Sequence, residues 1–141
     1  MKTIIRTVGV VIIRDEKVLL VVKGNHPERL YQLPGGQIED NETALEAAGR
    51  ELEETTGISA KPDSLVEIPT QWQATITKSY GKATFSFICF ICTDYTGMPE
   101  KNESATPEWV ALNDLARTPL NPNTQNAIDA AIELLNNRHL G

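Results

Sequence analysis

Arg50, Glu51 and Glu54 are the residues of this chain best suited to chemistry. They lie in Gly36 to Ile58, which reads G-Q-I-E-D-N-E-T-A-L-E-A-A-G-R-E-L-E-E-T-T-G-I. On a helix, Glu51 and Glu54 stand at i and i+3, so their carboxylates lie near each other on one face. Two like charges that close repel, which is a cost unless a cation sits between them. Hard oxygen ligands on one helix face suit Mg²⁺, which is bound by one or two carboxylates together with substrate phosphate oxygens. The plain alternative is a solvated acidic surface, with Glu46–Arg50 or Arg50–Glu54 as ordinary i, i+4 ion pairs.

The element that must hold these residues is legible around them. Thr43 followed by Glu46 forms a capping box, which predicts a helix starting at Ala44. Gly57 stands where that helix would end in a left-handed cap. Leu45, Ala48 and Leu52 recur at helical spacing and form an apolar stripe for the core. Asn41 precedes the cap at a position suited to a positive φ.

The segment is preceded by Leu33-Pro34-Gly35-Gly36. With Gly36, Glu42, Arg50-Glu51-Leu52, Glu54 and Gly57-Ile58 it resembles the Nudix box, G-x5-E-x7-R-E-U-x-E-E-x-G-U, where U is aliphatic. Thr55 is the one departure, standing where the second Glu of the pair is expected. The resemblance implies the Nudix fold, an α/β/α sandwich with a mixed sheet. It implies Glu51, Glu54 and the Gly36 carbonyl as ligands of Mg²⁺ or Mn²⁺, Arg50 as the group orienting the glutamates, and Glu42 as a brace behind them. Family members recruit a further acid from a loop near the last strand, and Glu103 is the expected external ligand or general base, against the alternative of a solvated loop residue. Glu53 cannot replace Thr55, because i, i+2 pairs do not share a helix face.

The implied reaction is hydrolysis of a nucleoside diphosphate linked to a variable group, with metal neutralising the diphosphate and activating water. Thr55 implies a weaker or water-mediated metal contact. It also motivates the alternative of a non-catalytic Nudix domain that binds a nucleotide or a regulatory partner. Two subfamily markers, a proline and a tyrosine downstream of the box, are absent: Gln73-Ala74 and Ile76 occupy those windows. That disfavours ADP-ribose and dinucleoside polyphosphates and leaves nucleoside triphosphates or smaller derivatives.

Specificity must lie outside the box. Tyr31, Trp72, Tyr80, Phe85 and Trp109 are candidates to stack on a base, each with a core role as the alternative. Lys23, Arg29 and Lys78 are candidates to contact phosphate. His26 reads as a loop residue.

The flanking chain reads as strands. Val8–Ile13 and Val18–Val22 are joined by a turn at Arg14–Lys17. Lys23–Arg29 is a loop and Leu30–Leu33 a short strand ending at the Pro-Gly-Gly. Ser64–Ile68 and Gln71–Thr77 are strands, Ser79–Lys82 a hairpin turn, and Ala83–Cys92 a central strand apolar on both faces. A loop over Thr93–Pro107 precedes a strand at Glu108–Leu112 and a helical turn at Asn113–Ala116. Asn121-Pro122 opens a last helix with the stripe Ile128, Ala131, Ile132 and Leu135. The patterns alone predict an α+β fold, a mixed sheet covered by helices, in a single domain over residues 1–141.

The 141 residues, 40% hydrophobic and 23% charged, suit one globular core. A net charge of −6 argues against a nucleic-acid backbone as partner. Cys89 and Cys92 would face opposite sides of a strand, which argues for packing rather than a shared metal. No apolar run has the length of a membrane span, and the first residues lack a signal-peptide layout. The expected setting is the cytoplasm, with a small-molecule nucleotide as partner, neither nucleic acid nor membrane, and a homodimer allowed.

Overall fold

A computed structural model describes residues 3–23, 29–79 and 81–138. Two sheets carry the fold. In the larger, β1 (Thr3–Val11) runs parallel to β7 (Gly81–Cys92), and β4 (Gly35–Gln37) pairs antiparallel with β1 on its other edge. β5 (Leu65–Glu67) and β6 (Trp72–Lys78) both pair antiparallel with β7. The smaller sheet joins β2 (Ile13–Arg14), β3 (Lys17–Lys23) and β8 (Ala105–Ala111), all antiparallel. Helices α1 (Ala44–Thr56) and α2 (Thr124–Arg138) cover the strands, and short 3₁₀ turns occupy Pro62–Ser64 and Leu112–Arg117.

Strand alternation divides the core in two. Val8, Val10, Ile88, Phe90 and Cys92 pack with Ala47, Ala48 and Leu52 of α1. Val11, Cys89 and Ile91 pack with Ala127, Ile128 and Ala131 of α2. Neighbouring side chains of one strand therefore serve different helices, as a period of two requires. The layered α+β arrangement agrees with the sequence patterns. Cys89 and Cys92 fall in opposite clusters, both free and buried, and burial raises both thiols.

Local chemistry sets α1 as expected. The Thr43 hydroxyl accepts from the Glu46 amide at 3.1 Å and the Glu46 carboxylate accepts from the Thr43 amide at 2.9 Å. Gly57 closes the helix at φ 84°, and Asn41 takes φ 67°. Asp15 and Glu16, at φ 52° and 62°, make the tight turn between β2 and β3.

Several boundaries move, and the last helix begins at Thr124 rather than at Asn121-Pro122. The first strand begins at Thr3, because β7 runs alongside it from Ala83 onward. Leu30–Leu33 is not a regular strand: Tyr31 and Gln32 make only isolated bridges to Leu120 and Val21. The strand is instead Gly35–Gln37, through the glycines read as its end. A Cβ on Gly35 would overlap the Val8 carbonyl, so only glycine lets this strand approach β1. β8 starts at Ala105 and includes Pro107, tolerated because β8 is an edge strand.

Candidate active site

Arg50 organises the acidic side chains. Its Nε donates to Glu42 Oε2 at 2.6 Å and its Nη2 to Glu42 Oε1 at 2.9 Å, a two-pronged clamp. The same Nη2 donates to the Gln37 carbonyl at 3.0 Å, tying α1 to the end of β4. Nη1 donates to Glu51 Oε2 at 3.2 Å and Glu54 Oε2 at 3.1 Å. One guanidinium nitrogen thus gathers both helix carboxylates. Glu39 stands 3.6 Å from it, largely exposed.

The electrostatics follow from these contacts. The Arg50 clamp and the Glu39 amide hold the Glu42 carboxyl down to about 2, so Glu42 stays ionised. Arg50 is raised above its ordinary value, chiefly by Glu42. Glu42 and Glu51 are nearly covered, at 14% and 13% exposure, while Glu54 is 54% exposed. Glu51 is seated against Gly36, where any Cβ would overlap its carboxylate. Arg50, Glu42, Glu51, Glu54 and Gly36 therefore meet where β4 passes α1.

Lys23 approaches from the other side. Its ammonium donates to the Gly35 carbonyl. Burial lowers its pKa, while the charges of Glu51 and Glu54 act in the opposite direction. Lys23 lines a cleft of about 400 Å³ together with Gly35, Gly36, Gln37 and Gln32. The far wall is Ala74, Ile76, Phe85 and Phe87, and one end is closed by Asn121, Pro122, Asn123 and Thr124 at the start of α2. Asn121 donates to the Gln32 side chain at 3.0 Å, and Asn123 takes φ 68°. Lys23 is the only charged side chain among the lining residues described.

Thr55 does not face the carboxylates. It is 2% exposed, and its hydroxyl donates to the Glu51 carbonyl within α1 at 2.7 Å. Its own carbonyl accepts from the Asn102 side chain at 3.1 Å. The hydroxyl that stands where the family pattern has an acid is thus buried and hydrogen-bonded within the helix. Asn102 also accepts from the Ser104 and Ala105 amides, and the Glu100 amide donates to the Thr56 carbonyl. The loop carrying Glu103 is thereby tied to the C-terminal end of α1. Glu103 itself is exposed, and no three His, Cys, Asp or Glu side chains among the described residues are grouped to hold an ion.

Of the other candidates among the described residues, Lys23 and Phe85 line the cleft, while Arg29, Tyr31, Trp72 and Trp109 do not. Arg29 is exposed. Tyr31 lines a separate groove with Glu108 and Trp109, and its phenol is raised by a hydrogen bond to Glu108. Trp72 packs against the α2 core and Trp109 against the α1 core. Tyr80, His26 and the Lys78 side chain lie outside the described residues. Sequence reasoning missed Gln32, Phe87, Asn121 and Asn123 as lining residues, and Asn102 as the loop tie. Asn121-Pro122 was legible only as a helix start; nothing local shows which cleft that start would close.

The donor set fits a hard divalent cation. Two carboxylates held on one nitrogen, one of them against a glycine of the cleft wall, can supply part of a shell that water and phosphate oxygens complete.

Comparison with known proteins agrees with this geometry. The NUDIX domain profile matches residues 3–131. The phosphatase NudJ of Escherichia coli strain K12 and that of Shigella flexneri are each 41% identical over 68 residues, 48% of this chain and 44% of the relative. The matched stretch is thus under half the length of these relatives. Among solved structures, the Escherichia coli ORF135 protein superposes with a TM-score of 0.74 at 24% identity, covering 96% of this chain and 94% of that one. A MutT NUDIX hydrolase from Burkholderia pseudomallei gives 0.74 at 23%, covering 91% and 98%. The NUDIX domain of Shewanella oneidensis NrtR, crystallised with ADP ribose, gives 0.68 at 21%, covering 96% and 89%. At these identities the structural likeness speaks to fold. Among the described residues no helix is long and apolar enough to cross a membrane.

Proposed function

The chain belongs to the Nudix family, and on that premise we propose that it is a divalent-metal-dependent pyrophosphohydrolase of a nucleoside diphosphate derivative. The observation that carries this reading is the convergence of Glu51 and Glu54 on one Arg50 nitrogen, with Glu51 seated against Gly36, a residue of the cleft wall. A Mg²⁺ or Mn²⁺ held by Glu51, Glu54 and the Gly36 carbonyl would neutralise diphosphate oxygens and acidify a water.

The chain's own residues do the rest. Arg50 holds both carboxylates in place through its Nη1, and Glu42 fixes Arg50. Lys23 meets the phosphates where the cleft joins the cluster. Phe85 and Phe87 offer an apolar wall, and Gln32, Asn121 and Asn123 supply neutral donors and acceptors. Such a cleft suits the uncharged half of a nucleotide, with its charged half directed to Lys23 and the acids. Glu103, on the loop tied to the C-terminal end of α1, is the proposed base. The proposed setting is the cytoplasm.

A second reading, a nucleotide-binding domain without turnover, is favoured by the burial of Thr55 and the lack of a three-acid group among the described residues. Phosphate release from a panel of nucleoside triphosphates and diphosphate derivatives, with Mg²⁺ or Mn²⁺ against chelator, separates the two. Metal-dependent release from one compound is the expected result. Saturable binding with no release from any of them would establish the binding reading.

A further inference from the structure

Charge balance around Glu51 and Glu54 differs from what a complete acidic box would produce. The side chains bonded to Arg50 are three carboxylates, the covered Glu42 and Glu51 and the more exposed Glu54, and Lys23 adds a second cation beside them. Glu42 is consumed by the Arg50 clamp. What remains for an incoming cation is a pair of carboxylates, with the Lys23 ammonium held on the Gly35 carbonyl in the cleft wall, next to the glycine on which Glu51 is seated. The acid expected at position 55 is a buried hydroxyl satisfied inside the helix, with Asn102 on the backbone behind it. Lys23 is equally constrained: it is half-buried and anchored on the Gly35 carbonyl, one residue from the glycine that seats Glu51.

Building on the metal-dependent reading above, we propose that Lys23 serves as a built-in cation, so that the substrate-free site takes a single divalent ion. A second divalent ion would approach two already shared carboxylates next to a fixed positive charge. Its attraction would be small and its repulsion from Lys23 and the first ion large. On substrate binding, Lys23 supplies the positive charge on the phosphates that a further ion would otherwise bring. A lysine does this as a point charge without needing its own carboxylates.

The test counts metal directly. Mn²⁺ binding to the nucleotide-free protein is measured by titration with electron paramagnetic resonance, in wild type, Lys23→Met and Lys23→Arg. One strongly held Mn²⁺ per chain is expected in wild type and Lys23→Arg. Removing the positive charge in Lys23→Met should tighten Mn²⁺ by about tenfold or admit a second ion. With only one Mn²⁺ bound per chain, the same variant should bind inorganic pyrophosphate about tenfold more weakly, and Lys23→Arg should restore it. Melting curves establish that each variant is folded. Two or more strong Mn²⁺ sites in wild type, or unchanged Mn²⁺ and pyrophosphate binding in folded Lys23→Met, overturns the inference while leaving metal-dependent hydrolysis intact. No Mn²⁺ binding at all overturns both.

Discussion

The acidic cluster and the cleft beside it are built in different ways. Every side chain of the cluster except Lys23 comes from the stretch between Gly36 and Glu54, and one arginine touches three of its carboxylates. The cleft draws on β1, β3, β4, β6, β7 and the start of α2, with neutral amides and two phenylalanines. The cluster is a local device that one capped helix and one glycine strand can present. The cleft exists only once residues as far apart as Thr7 and Thr124 come together. Chemistry and selectivity are therefore separable, and substitutions should divide accordingly.

The largest effect should fall on the cluster. Glu51→Gln or Glu54→Gln should lower kcat by at least about 100-fold, the scale expected when a metal ligand or positioned base is lost. Glu53→Gln should be nearly silent, since Glu53 is exposed on another helix face. Gly36→Ala is a subtler version: its Cβ would displace the Glu51 carboxylate, the free end of a flexible side chain, so folding should survive while kcat falls by about tenfold or more. Steady-state kinetics with melting curves test all four. Equal losses at Glu51, Glu53 and Glu54 would refute the assignment of the cluster to one helix face.

Thr55→Glu asks whether the family pattern or the packing rules. The sequence suggests that restoring the acid strengthens the metal site. The structure places position 55 in a buried turn of α1, its hydroxyl bonded to the Glu51 carbonyl, so a carboxylate there would be desolvated. The variant should lose at least about 2 kcal/mol of stability and gain no Mg²⁺-dependent rise in melting temperature over wild type. A larger Mg²⁺ stabilisation than wild type would show that the helix end can turn position 55 toward the metal.

Cleft substitutions should act differently. Phe85→Ala and Asn121→Ala should raise KM by about tenfold and leave kcat within a few-fold, because they remove contacts made equally in ground and transition states. A matching loss in kcat would break the division between cluster and cleft.

The smallest effect concerns acid. Glu42 titrates at about 2 in the folded protein, against an ordinary 4.5. A depressed carboxylate contributes stability that is fully present above its unfolded pKa and lost as pH falls through the folded one. The urea midpoint of wild type should therefore exceed that of Glu42→Gln at neutral pH, with the gap closing between pH 4.5 and 2. A gap independent of pH would mean the Arg50 clamp does not depend on the Glu42 charge.

How much of this was legible beforehand depends on the range of the forces involved. The capping box at Thr43 and Glu46, the left-handed Gly57 and Asn41, and the Glu51–Glu54 pairing all come from interactions within a few residues. The sequence carries them without reference to the rest of the chain. The alternation that sends Cys89 to α2 and Cys92 to α1 is equally local, because side chains of one strand alternate whatever they meet. Most strands were readable for the same reason, apart from Gly35–Gln37. Two glycines there look like a break until β1 and Glu51 are seen to need the space their missing side chains leave.

The remaining features were decided by tertiary contacts. Tyr31, Arg29 and Trp72 have the right chemistry for a nucleotide, but Tyr31 lines a separate groove, Arg29 stands exposed outside the cleft and Trp72 packs into the core. Asn121 and Asn123 enter it because the start of α2 is carried across to β4 and β7. Thr55 looked like a weakened ligand because residue type and spacing were all the sequence could offer. Which way a helix position faces is set by what packs on it, and here the loop held by Asn102 covers that turn. The sequence by itself determined the family, the helix, the paired acids and their arginine. Burial and direction over long range, which no residue encodes alone, decided the cleft, the place of Lys23 and the fate of Thr55.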